Sequence, residues 1–117
     1  MGYQESYLTS DNFDALCNAV RSKSKEYFDD LYGGMNIITL NKPITAAFDW
    51  GGWFGYTNRK HRFPKGTKFL YVRGERHWQR SMDPELGVEY RLAFTENFPS
   101  DEIFSDQSVA TIEEWVW

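Results

Sequence analysis

With 117 residues and a formal net charge of −4, the chain has room for one hydrophobic core and is too short for two independently stable units, so a single domain over 1–117 is expected. Hydrophobic residues at 41% and charged residues at 26% are ordinary for a globular protein and argue against disorder over most of the length. A single cysteine, Cys17, excludes an internal disulfide, and no apolar run approaches the roughly 18 residues that cross a bilayer, so the expected setting is the cytoplasm, with no membrane role.

Met1-Gly2-Tyr3-Gln4-Glu5 has neither a basic start nor an apolar run, so no secretory leader is expected. Gly2 and Ser6 have the spacing of a myristoylation motif, a match short enough to arise by chance. Gln4–Thr9 reads as a short strand, after which Ser10-Asp11 offer side-chain oxygens where a helix begins. Phe13, Leu16, Cys17 and Val20 then fall at i, i+3, i+4 and i+7, one apolar stripe on a helix running to about Lys23. A thiol on that stripe packs as a small hydrophobe, with no basic neighbour evident in sequence to activate it.

Ser24 is placed to cap a second short helix through Leu31, which Gly33-Gly34 would end. Ile37–Leu40 is a β-branched and aliphatic run closed by Asn41-Lys42-Pro43, hence a strand, with Ala46–Trp50 as its extension. Trp50-Gly51-Gly52-Trp53-Phe54-Gly55-Tyr56 mixes rings with glycines too densely for a regular element and predicts a loop or a bulged hairpin edge.

Pro64-Lys65-Gly66 signals a turn before Thr67–Arg73, a strand with Phe69 and Tyr71 on one face and Leu70 and Val72 on the other, which predicts a central position. Asp83-Pro84-Glu85 turns the chain into Val88–Thr95, where Tyr90, Leu92 and Phe94 mark a dry face and Glu89, Arg91 and Ala93 a wet one. Asn97–Ser108 is an acidic connection with room for a helical turn, and Val109–Trp117 closes the chain as a strand. The expected fold class is α+β: a single domain with an N-terminal helix, or two short helices, packed on one face of a mostly antiparallel sheet.

Charge is segregated along the chain. Residues 57–80 hold eight Lys and Arg against Glu75 alone, a local balance of +7, while the remainder carries −11. A surface built only for solubility would mix the signs, so the segregation predicts a patch that attracts an anion at long range. Arg59, Lys60, Arg62, Arg73, Arg76 and Arg80 are the anion-binding candidates, and Glu75, His77 and Gln79 supply polar support within Arg73-Gly74-Glu75-Arg76-His77-Trp78-Gln79-Arg80. The alternative explanation is that these cations neutralise the −8 of residues 81–117 across facing strands.

Five Trp, seven Tyr and nine Phe exceed what one core of this size takes in, so some rings are expected at the surface. Trp53, Phe54, Tyr56 and Trp78 are interleaved with the basic segment, and Trp115 and Trp117 end the chain; all six are candidates for aromatic contact with a base or a protein partner.

His61 and His77, far apart and with one cysteine in the chain, lack metal-ligand spacing, and neither a phosphate-binding glycine loop nor a nucleophile elbow occurs, so no metal or cofactor is expected. The function these features point to is a small, non-enzymatic binding protein. Its basic aromatic face would engage nucleic acid, a nucleotide or another phosphorylated ligand, a character that also suits a stoichiometric inhibitor of a nucleic-acid-processing enzyme of the kind mobile elements carry. One competing class is a protein-interaction module acting through exposed Trp and the acidic half, with a homodimer through the last strand as a further option. Another is a small hydrolase or transferase with Glu75 and His77 as acid and base.

Overall fold

Strict alternation over Lys68–Glu75 puts apolar side chains on both faces of one strand, and such a strand is stable only where both faces are covered. A computed structural model, which describes residues 3–23, 31–50, 59–75, 88, 90–94, 98 and 101–117, places it fifth of seven in a single sheet. The strands are β1 (Tyr3–Thr9), β2 (Leu31–Leu40), β3 (Ile44–Trp50), β4 (Arg59–Phe63), β5 (Lys68–Glu75), β6 (Arg91–Phe94) and β7 (Ala110–Glu114). Their order is β4-β3-β6-β1-β5-β2-β7, and every pairing among them is antiparallel. Helices α1 (Phe13–Ser22) and α2 (Asp101–Phe104) complete an α+β domain.

The sheet separates two apolar clusters. On one face α1 lays Leu16, Cys17 and Val20 against Leu8, Leu70 and Val72, with Trp115 and Tyr90 at the margins. On the other, Tyr7, Phe69 and Tyr71 meet Phe63, Phe98 and Phe104 in a continuous aromatic layer. Tyr7 stacks on Phe98 with ring centroids 4.6 Å apart, and Phe69 meets Phe98 edge-on at 5.0 Å. Phe63 on the edge strand β4 also meets Phe69 edge-on at 5.0 Å. Contact between strands so far apart in the sheet order requires the sheet to curl, and the curl wraps the aromatic layer.

The expectation of a sheet covered on one face is therefore corrected: both faces are buried. The same correction applies to β6, whose supposedly wet face contains Ala93, fully buried opposite Tyr7. Ala93 is buried on that face, while Arg91, two residues earlier on the same face, stays half-exposed.

Helix α1 begins at Asn12, whose Oδ1 accepts from Ala15 N at 3.1 Å, while Ser10 Oγ accepts from Asn12 N at 3.2 Å. Gly33-Gly34 do not end a helix; they lie within β2 where its register against β5 shifts between Leu31 and Met35, the tolerance for a bulge that glycine gives a strand. The expected second helix over 24–31 otherwise falls outside the described residues. Nor does Ala46–Trp50 extend β2: Asn41–Pro43 turns the chain, and β3 pairs with β4 and β6. No described helix is long and apolar enough to cross a membrane.

The C-terminal segment is fastened to α1 by Arg21, whose guanidinium lies 4.4 Å from the Trp115 ring centre while its Nε donates to Val116 O at 3.2 Å. The preceding turn is organised by Asp106, whose Oδ1 accepts from Ser108 N (2.9 Å) and Ser108 Oγ (2.8 Å).

Three outcomes follow from this packing. Phe69→Ala should cost about 3–5 kcal/mol of stability by urea unfolding, because its ring is fully enclosed. Burial pushes the Cys17 thiol above its ordinary range despite nearby Arg21, so a thiol reagent should label Cys17 quickly only after denaturation. The backbone and side-chain hydrogen bonds from Ser108 hold the Asp106 carboxyl below the ordinary aspartate value of about 3.9. With the folded value below the unfolded one, the contribution is complete above the unfolded value and fades as pH falls through the folded one. Carboxyl NMR titration should show the Asp106 midpoint rising toward the ordinary value in Ser108→Ala.

Candidate functional site

The curl of the sheet leaves an open cleft of about 560 Å³ where β1 ends. Thr9 and Arg91, register partners on β1 and β6, form one wall. His61 and Phe63 from β4 form the facing wall, their rings 4.6 Å apart. Lys68 and Thr67 close one end, and the Ser10–Asp14 segment, where α1 starts, closes the other.

Each wall is held by the fold. Thr9 Oγ1 donates to Lys68 O at 2.8 Å, joining the end of β1 to the start of β5. The Pro64–Thr67 turn is closed by Thr67 Oγ1 donating to Pro64 O at 2.7 Å, and Gly66 takes a φ of +92° there that a side chain would strain. That turn is anchored on β2, with Gly66 N donating to Leu40 O (2.8 Å) and Leu40 N to Thr67 O (2.9 Å). A smaller hollow of about 340 Å³ adjoins it around Ser10–Asn12 and Arg91, floored by Ala15, Val88 and Tyr90.

Of the basic segment, His61 and Lys68 line the cleft, and the anion-binding candidates Lys60, Arg62 and Arg73 do not. Lys60 and Arg62 are exposed on β4, on the opposite side of the strand from His61, and face Ala47 and Thr45 across the β3–β4 pair. Lys65 is exposed in the turn, and Lys68 is exposed in the cleft, with Thr39 as its cross-strand partner. Among the described cross-strand pairs, Lys60, Arg62 and Lys68 stand opposite Ala47, Thr45 and Thr39, and Arg73, half-buried on β5, stands opposite a carboxylate residue, Glu5. Arg59 opens β4 opposite Phe48, and Glu75 ends β5 opposite Tyr3. β5 carries Arg73 toward the sheet end opposite Lys68, so Arg73 is not part of the cleft.

Arg76, His77, Trp78, Gln79 and Arg80 lie outside the described residues, as do Trp53, Phe54 and Tyr56. Of the two C-terminal tryptophans, Trp117 is 40% exposed and Trp115 is buried. Alternation along β7 turns Trp115 onto the face that α1 covers, so it is core and not a contact ring. Its Nε1 has no hydrogen-bond acceptor among the described residues.

Arg91, Thr9, Ser10, Asn12 and Asp14 line the cleft without having been marked by sequence spacing. They come from two separate places in the chain, and the β1–β6 register brings Arg91 beside Thr9. The side chains on offer are two permanent cations (Lys68, Arg91), an imidazole (His61), two carboxylates (Asp11, Asp14) and the hydroxyls and amide of Thr9, Ser10, Thr67 and Asn12. Chemically, cations of this kind pair with phosphate oxygens, and carboxylates accept hydrogen bonds from hydroxyl groups. Among the described residues no three His, Cys, Asp or Glu side chains come together to hold a metal ion.

No family model, curated protein or solved structure matches the chain.

Proposed function

We propose that this chain is a small binding protein that holds a phosphorylated, base-bearing ligand, a nucleotide or the end of a nucleic-acid strand, in the cleft between β1, β4, β5 and β6. The observation that carries the reading is that Lys68, Arg91 and His61, from three different strands, line one open cleft beside the ring of Phe63. The phosphate falls to Lys68 and Arg91, the base to the His61–Phe63 wall, and sugar hydroxyls to Asp11 and Asp14. A strand continuing beyond the cleft would run past the exposed Lys65 and along the β4 edge, where Lys60 and Arg62 are exposed. The role in this reading is binding, and a cytoplasmic setting suits a protein that meets nucleotides.

The test is calorimetric titration with adenosine diphosphate and with a short single-stranded oligonucleotide. Lys68→Ala and Arg91→Ala should each weaken both ligands roughly tenfold or more, since a charge-assisted hydrogen bond contributes about 1.5–3 kcal/mol. Lys60→Ala with Arg62→Ala should weaken the oligonucleotide alone and flatten its salt dependence, which changes by about 0.7 logarithmic units per phosphate contact in single strands. Equal affinity in wild type and in Lys68→Ala/Arg91→Ala would remove the reading.

A further inference from the structure

The outer side of β7 carries backbone groups that no other described strand pairs with. Hydrogen bonds from Trp115 N to Met35 O (3.2 Å) and from Asn41 N to Val109 O (2.7 Å) fix the phase of the β2–β7 ladder. Bonded pairs recur at every second residue of an antiparallel ladder, so Ile37 with Glu113 and Thr39 with Thr111 are bonded pairs too. The N–H and C=O groups of Ile112 and Glu114 therefore turn away from β2. β7 is last in the sheet order, and no described strand takes those groups up. The edge is closed at both ends: Ala110 N donates to Asp106 O at 3.1 Å, and Val116 O accepts from Arg21. Between them lies an open stretch, Ile112 to Glu114.

The side chains around that stretch are apolar and acidic. Ile112 is 48% exposed, Val116 74% and Trp117 40%, while Glu113 and Glu114 are exposed beside them. After Arg91 the chain has six carboxylates and no Lys, Arg or His. An open edge with exposed apolar side chains is a template for strand addition, and its charges select what adds. Four glutamates brought together oppose pairing with a second β7, and a strand of opposite sign is favoured.

We propose that the β7 edge docks an extended segment of a partner protein in which Lys or Arg alternates with apolar residues. The partner's backbone pairs with Ile112 and Glu114, its cations lie on the face of Glu113, and its apolar side chains lie on the other face, over Ile112 and Val116. β4 of a second copy is also basic, but a β4–β7 contact between copies is heterologous and adds molecules without end unless the rotation closes, whereas a foreign strand gives a discrete complex.

A short synthetic peptide alternating Lys and Val is the probe, followed by amide hydrogen exchange and NMR shifts on the whole chain. Added peptide should slow exchange at Ile112 and Glu114, and the same peptide with Glu for Lys should not bind. Glu113→Lys/Glu114→Lys should weaken binding about tenfold or more. Ile112→Pro removes an outward N–H without breaking the β2–β7 ladder, so a folded Ile112→Pro protein should fail to bind; should it not fold, the charge-reversal pair decides. The proposal is overturned if affinity survives charge reversal or if the shifts map elsewhere. It is equally overturned if the wild type grows with concentration and Lys60→Glu/Arg62→Glu suppresses that growth, which would make a second copy the occupant.

Discussion

The edge-on contact of Phe63 with Phe69 is the constraint on which the rest of the molecule depends. It joins an edge strand to a strand deep in the sheet order, and a flat sheet cannot bring those two together. Curling around the aromatic layer buries Tyr7, Phe69 and Phe104 almost completely. The right-handed twist inherent in β-strands makes such curling accessible, and large rings make it favourable, because each adds burial that an aliphatic side chain would not match. The cleft is the mouth of that curl.

The two surfaces that the chain offers to others have different physical origins. The cleft is concave, chemically mixed and built from distant parts of the chain, which suits a small ligand or a single nucleotide unit. The β7 edge is linear, acidic and made of consecutive residues, which suits an extended peptide. The exposed cations Lys60 and Arg62 lie on β4 at one end of the strand order, and the exposed carboxylates Glu113 and Glu114 lie on β7 at the other.

The two-faced character of β5 could be read directly from Phe69, Leu70, Tyr71 and Val72, because a period of two with apolar residues at every position has few other solutions. The face of α1 that meets the sheet, with Leu16, Cys17 and Val20, was equally evident from spacing. What sequence could not supply was long-range register. Ala93 looked solvent-facing beside Arg91 and Glu89 until the strands on either side of β6 were known, and Trp115 looked like a contact ring until parity along β7 turned it under α1. Gly33-Gly34 carried a helix-ending signal that tertiary pairing with β5 overrode. For the site, the basic segment held His61 and Lys68, but the residues singled out within it were others, and Arg91, Thr9 and Asn12 had no local mark, since nothing in their spacing encodes their meeting.

The position of β1 has a consequence for how the molecule comes into being. It precedes every other strand of the sheet, yet it lies in the middle, between β5 and β6, so both of its neighbours come much later in the sequence. Loop closure of that length is slow, and topologies dominated by distant pairings fold late and gradually. Tyr7 and Leu8 therefore reach their buried positions only when Tyr71, Leu70 and Ala93, all distant in sequence, pair with them.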